Sequence, residues 1–312
     1  MLRAGRVSSI AIIACSLLAA WAIPASSASR SHGTLAQVER QVAASVHITT
    51  LSPAVAAELP AAPTDFSWSN YPAVGTSTGS TCHTVTACVY GDLTSSKVVV
   101  LFGDSHALMW LNALAPWAAS DKVKLVLLWQ GLCPPGDLSV YAPGFADPPL
   151  CNAYRAQMIA AIQKLAPTLV VLAEKTTQVK SAASAYFTDA QWEAGLVTTI
   201  TELQTPATKV AVLEDTPTFA SSVPECLAAH PTAVQSCAVR YVDPKIPGHE
   251  SAELAAARKT GATYVRTQGW FCTALCSPVI GPYIPYIDTN HVSFSYAGYL
   301  SGVMGAALKP LI

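Results

Sequence analysis

Short apolar runs constrain this chain more than any other feature. Residues 97–102 (KVVVLF), 123–129 (VKLVLLW), 168–173 (TLVVLA), 209–213 (KVAVL) and 262–266 (ATYVR) are rich in β-branched residues and continuously apolar. A strand with one wet face alternates in polarity, whereas a continuously apolar strand is covered on both faces, as in a parallel sheet between helices. Between the runs lie segments of helical pattern, 106–119, 152–165, 189–203 and 250–260, with a last one at 294–309. Pro167 and Pro206 stand just after their helices and before the next strand, where a helix stop belongs. The alternation predicts a three-layer α/β/α sandwich around a mostly parallel central sheet. Ligands of such sheets bind off the carboxyl ends of the strands, so a chemically active residue is expected just after an apolar run.

The 312 residues are long enough for a sizeable core, and 51% are apolar. Charged residues make up 12%, against roughly 25% in ordinary soluble domains, and the formal net charge is -1. A nucleic-acid partner, which needs a basic patch, is not expected. The N-terminus runs from MLRAGR through an apolar stretch at 10–23 to the small residues PASSAS. Basic, apolar, small is the pattern of an export signal, here residues 1–28 with cleavage near Ala28 and Ser26 as the other inspected position. An uncleaved anchor and a lipidation box ending at Cys15 are the alternatives. No later stretch approaches the roughly 20 uninterrupted apolar residues of a membrane helix. Residues 29–80, rich in Ala, Ser, Pro and Thr, read as a leader or spacer containing one amphipathic stretch, LAQVERQVAASV. The catalytic domain is expected over 81–312.

Loss of the signal removes Cys15 and leaves Cys82, Cys88, Cys133, Cys151, Cys226, Cys237, Cys272 and Cys276. An even number in an exported chain points to disulfides. They fall into close couples, giving 82 with 88, 133 with 151, 226 with 237, and 272 with 276. A zinc site is not expected, since no CxxC pair occurs and no histidine stands at ligand spacing from a cysteine pair.

Ser105 in "LFGDSHALMW" follows the first core run by two residues and opens a helix. A side chain there projects at the carboxyl edge, and free N–H groups of a helix start can hold a developing oxyanion. Asp and Ser before a helix are also ordinary N-caps. A serine nucleophile needs a base, and the base an orienting acid. Neighbouring His106 points elsewhere on the helix and reads as structural or substrate-lining, and Asp104 as a helix cap or loop bond. The distant stretch "YIDTNHVSFSYAGYL" supplies a better pair, Asp288 and His291, three residues apart on one loop before the last helix. His83, His230 and His249 read as surface loop residues, and His32 and His47 lie in the leader. Trp110, Trp129 and Trp270 read as core or surface packing, with a sugar-lining role as the alternative.

GDS near the start of a domain with DxxH near its end resembles the SGNH (GDSL-type) hydrolases. The run "CVYGDLTSSKVVVLFGDSHALMWLNAL", then "CPP", "EDTP", "PECLA" and "WFCTALCSPVIG" ahead of "DTNH", resembles the exported SGNH domain attached to bacterial acyltransferase-3 membrane proteins. The likeness covers residues 82–312 and implies the flavodoxin-like SGNH fold. It implies Ser105 as nucleophile, His291 as general base, Asp288 as its orienting acid, and the Ser105 amide as one oxyanion donor. Typical members add a glycine and a GxND asparagine. Gly131, after the second run, fits the glycine by position, whereas Glu174 and Gln178 stand where the asparagine is expected.

The expected function is an exported serine enzyme that moves or removes an O-acyl group, acetyl above all, on a cell-envelope or secreted carbohydrate. It needs no cofactor. Its partners are a carbohydrate ester or a hydroxyl acceptor. In the resembling proteins a membrane domain delivers the acyl group, so a separate membrane acyl donor protein or plain esterase action is expected here. A non-catalytic carbohydrate-binding module and a lipid esterase are the competing readings.

Overall fold

A computed structural model describes residues 32–66, 82–142, 148–241 and 248–312. The expected signal, with Cys15, Ser26 and Ala28, lies outside the described residues. So do 29–31 and 67–80 of the expected leader.

The apolar runs form the sheet. In chain order its strands are β1 (Val89–Gly91), β2 (Val98–Gly103), β3 (Lys124–Trp129) and β4 (Leu169–Ala173), then β7 (Lys209–Leu213) and β9 (Thr263–Val265). Two short hairpin-like pairs lie outside it, β5 (Lys180–Ala182) with β6 (Ala185–Tyr186), and β8 (Val239–Arg240) with β10 (Leu275–Cys276). The order across the sheet is β1-β3-β2-β4-β7-β9, with β2, β3, β4, β7 and β9 parallel and β1 antiparallel at the edge. The parallel strands thus follow the flavodoxin-like order, whose switch point lies between the first and third of them, here β2 and β4. Ser105 follows β2 at that point.

Helices are α1 (Leu35–Ser45), α2 (Pro53–Glu58), α3 (Ser105–Met109), α4 (Leu111–Ser120), α5 (Pro148–Leu165), α6 (Asp189–Leu203), α7 (Val223–Ala229), α8 (Glu250–Thr260), α9 (Phe294–Tyr299) and α10 (Ser301–Leu308). They cover both sheet faces. Along β2, Val99 and Leu101 join the core under α1, α4 and α10, and Val100 and Phe102 join the core under α5, α6 and α8. This explains the continuous apolar runs: each pleat face meets a helix layer. The expected helix over 106–119 is two helices meeting at Trp110, whose N–H bonds back to Ala107 and Leu108. The last one likewise breaks at Leu300, whose N–H bonds to Tyr296 and Gly298. None of the described helices is long and apolar enough to cross a membrane.

The described part of the expected leader packs on the same compact unit as the rest, His32–Ile312. Thr34 and Gln37 close a capping box at the start of α1, and Val38 and Val42, one turn apart, are buried in the core with Val55 of α2. The four disulfides join Cys82–Cys88, Cys133–Cys151, Cys226–Cys237 and Cys272–Cys276, each closing a local loop rather than linking layers.

Gly103 closes β2 where it runs beside β4. A Cβ at this position would stand 1.8 Å from the backbone oxygen of Ala173, which no rotamer change relieves. Replacing Gly103 by Ala is therefore expected to lower stability by about 3 kcal/mol or more, read as a fall in the urea midpoint; a midpoint within error of wild type would contradict this packing.

Candidate active site

The site grows from the end of β2. Asp104 is the N-cap of α3, and its carboxylate accepts two backbone N–H bonds, from His106 at 2.8 Å and from Lys175 at 2.9 Å. The first fixes the turn out of β2 and the second ties it to the end of β4. Ser105, the first residue of α3, is thereby held half-buried at the mouth of a cleft.

The loop before α9 reaches the same point from the other end of the chain. Ile287 N–H bonds to the His291 carbonyl at 3.0 Å, closing a tight turn. Asp288 Oδ1 accepts the N–H groups of Asn290 and His291, both at 2.8 Å, and its Oδ2 lies 2.6 Å from His291 Nδ1. With the aspartate as acceptor, Nδ1 carries the proton, and Nε2 is left to accept the Ser105 hydroxyl at 2.9 Å. Ser105, His291 and Asp288, 183 to 186 residues apart in sequence between serine and loop, form one unbroken hydrogen-bonded line. Burial pushes the Asp288 carboxyl up, but the hydrogen bond and charge of His291 and the two N–H donors outweigh it and hold the group at about 2, against an ordinary 3.8. Such a line can withdraw the serine proton as the oxygen attacks a carbonyl carbon, and return it to a departing alcohol.

Gly131 follows the end of β3, where Trp129 pairs with Gly103 and Gln130 N–H bonds to the Gly103 carbonyl at 3.1 Å. It therefore borders the Ser105 turn. After β4, Gln178 lines the cleft, while Glu174 points into the interior and accepts the indole N–H of Trp192 at 2.9 Å. Burial, and then the nearby Asp104 charge, push Glu174 up to about 8, which favours its protonated form.

His106 makes no bond to Ser105. Its Nδ1 lies 2.5 Å from Asp215, beyond β7, in a pair that is almost wholly buried. Burial opposes charge on the imidazole, yet the charge and hydrogen bond of Asp215 prevail and raise its pKa. Asp215 is lowered despite burial, because His106 and the N–H groups of Thr176 and Thr216 stabilise the anion. The His106 ring stands edge-on to His291, 5.2 Å between centroids, as a wall behind that imidazole.

Two groups at the site were not anticipated. Phe66 packs edge-on against the His291 ring at 5.9 Å and on Phe294 at 4.6 Å. Asp65 accepts the N–H groups of Phe294 and Ser295 at the start of α9. Only the amphipathic stretch upstream hinted that this segment docks. His249 is a correction to its reading as a surface loop residue: its ring is buried, stacked on Trp192 at 4.7 Å, with Nδ1 2.6 Å from Asp189. His83 is half-buried against Tyr154, whereas His230, His32 and His47 are exposed. Trp110 and Trp270 pack edge-to-face in the core and Trp129 is half-buried at the end of β3, so none of the three lines the cleft. Among the described residues, no group of three or more His, Cys, Asp or Glu is placed to hold a metal ion.

The SGNH domain family, described as fused to AT3 domains, matches residues 75–305. No curated protein matches the chain. Among solved structures, the lipopolysaccharide acetyltransferase periplasmic domain of Salmonella ser. Paratyphi A is similar in fold, with a TM-score of 0.56 and 14% identity over 70% of this chain and 85% of that one. A carbohydrate acetylesterase from Sinorhizobium meliloti aligns with a TM-score of 0.45 and 14% identity over 70% of this chain and all, 100%, of that one. With a flavodoxin-like sheet, a GDS turn at its switch point and a DxxH loop brought onto it, the chain belongs to the SGNH domain family and is an SGNH-type acyltransferase or carboxylic-ester hydrolase.

Proposed function

We propose that the protein is an extracytoplasmic serine enzyme that transfers or hydrolyses an O-acetyl group on a carbohydrate, through an acyl-enzyme on Ser105. The observation that carries the reading is the line Ser105–His291–Asp288, with contacts of 2.9 and 2.6 Å. Ser105 Oγ attacks the ester carbonyl while His291 Nε2 takes its proton, and Asp288 stabilises the imidazolium. The tetrahedral intermediate expels the sugar alcohol, which receives that proton. Water or a second sugar hydroxyl, deprotonated by His291, then attacks the acyl-enzyme and releases Ser105. Attack by water makes the enzyme an esterase, and attack by a sugar makes it a transferase. The Ser105 amide and the Gly131 amide are the proposed oxyanion donors, on the strength of their position at the adjacent ends of β2 and β3.

Four disulfides fit an oxidising compartment outside the cytoplasm. Fusion of the family to AT3 domains suggests a membrane acyl donor as partner. The name of the Salmonella fold relative suggests acetyl as the acyl group and a glycan as acceptor.

Variants of Ser105 and Asp288 test this reading. Ser105→Ala is expected to reduce release from p-nitrophenyl acetate by at least about 10³-fold without a change in circular dichroism. The mass shift produced by a serine-directed phosphonate should vanish with it, and equal rates in the two proteins would end the serine mechanism. Asp288→Asn is expected to lower kcat by roughly 10⁴-fold, with KM little changed, because the imidazole loses its tautomer and orientation. The Asp288 pKa is depressed on folding, so its contribution to stability is full above about pH 4 and is lost as pH falls toward 2. The gap in urea midpoint between wild type and Asp288→Asn should accordingly close over that window, and a gap that widens on acidification would contradict the assignment.

A further inference from the structure

The cleft beside Ser105, of about 230 Å³, presents two ammonium groups to solvent over one deeply buried carboxylate. Lys175 and Lys180 line it together with Gln178 and Tyr141, facing apolar residues that include Leu132 and Val140. The carboxylate among its lining residues, Asp104, is 1% exposed, and both of its oxygens are engaged by backbone N–H groups. Burial pushes its carboxyl up, and no ion pair joins it to either lysine among the described residues. Lys175 is half-buried, and its ammonium forms no hydrogen bond or ion pair among the described residues. Lys180, also half-buried, reaches among the described residues only the Ala183 carbonyl at 3.5 Å and the face of Tyr186 at 5.8 Å.

A ligand that fills this cleft strips water from the lysines. A neutral ligand would leave their charges desolvated and unpaired, which is unfavourable, whereas an anionic one would pair them within an apolar wall where the attraction is strong. Discrimination then comes from both the gain and the penalty. Lysine, a compact point charge, does not demand the planar geometry that arginine does, so carboxylate and phosphate both suit it.

We propose that the cleft selects esters whose alcohol portion carries a negatively charged group, a carboxylate or a phosphate, held by Lys175 and Lys180 while the ester carbonyl meets Ser105. The inference rests on the serine-ester reading of the site. The substrate class is thus an O-acylated acidic sugar rather than a neutral one.

The test compares three O-acetylated methyl glycosides: a glucuronoside, a glucoside 6-phosphate and a neutral glucoside. The full-length protein is expected to favour a charged ester by roughly 10- to 100-fold in kcat/KM, with the preference shrinking as sodium chloride is raised. The carboxylate and phosphate arms identify which anion is used. Lys175→Gln and Lys180→Gln should each lower the charged-to-neutral ratio, the double variant should bring it near one, and Lys175→Arg with Lys180→Arg should retain most of it. In parallel, binding of the unacetylated glycosides to Ser105→Ala is followed by NMR shift changes, which need no turnover. Preferential, lysine-dependent binding of a charged glycoside without hydrolysis of any ester would uphold the cleft inference and sink the serine mechanism. Equal kcat/KM on charged and neutral esters, a ratio unmoved by the double Gln variant, or binding without charge preference would overturn the inference.

Discussion

The placement of Ser105 depends on one carboxylate. Asp104 bridges two backbone N–H groups, that of His106 in its own turn and that of Lys175 at the end of β4. Two adjacent parallel strands are thereby fastened at their carboxyl ends, and the residue between the strand and the helix start has one direction left to face. Gly103 completes the constraint, because only a residue without Cβ lets β2 pass the Ala173 carbonyl this closely. The triplet Gly-Asp-Ser is thus a division of labour. Glycine permits the strand contact, aspartate fixes the turn, and serine receives the resulting position.

The interior beneath the site is crowded with acids, and they are neutralised in two ways. Glu174 and Glu250 are pushed up to about 8 and about 7, and Glu253 is raised well above its ordinary value, chiefly by burial. These groups carry a proton through much of the neutral range instead of a buried charge. Asp215 and Asp288 stay ionised because each accepts N–H groups from the backbone and pairs with a histidine. The anions are therefore confined to the places where a donor-rich loop faces them. The two histidines differ in consequence: His106 is locked against Asp215 inside, and His291 keeps Nε2 toward Ser105.

Much of this was legible in the sequence, for identifiable reasons. Strands buried on both faces leave continuous apolar runs, so their positions were readable almost to the residue, as were α6 and α8, which start and stop on local signals. Ser105 was legible at the end of such a run, and Asp288 and His291 as an acid and an imidazole three residues apart on the loop before the last helix. What stayed hidden depends on contacts between distant segments. Strand β1 is three residues long and exists because it pairs with β3 at the sheet edge. His249 in sequence is a histidine beside Gly and Pro; its burial arises from stacking on Trp192, far away in the chain. His106 reads in sequence as a structural or substrate-lining group, but its partner Asp215 lies 109 residues on and no local pattern announces it.

The N-terminal segment carries the same lesson into the site itself. The loop that bears Asp288 and His291 is closed by its own bonds and is also braced from outside. Phe219 and Val223 donate N–H bonds to the Thr289 and Asp288 carbonyls, and Thr216 Oγ1 donates to the Asn290 carbonyl. The opposite side is held by Asp65, which caps α9, and by Phe66, which covers the His291 ring. Those two residues are in turn anchored through the same segment that buries Val38, Val42 and Val55 in the core. Composition made this segment look like a spacer, since Ala, Ser and Thr dominate it. Two valines one helical turn apart, a third on the next helix and one phenylalanine make it a wall of the site, because docking needs a narrow apolar stripe and not an apolar average.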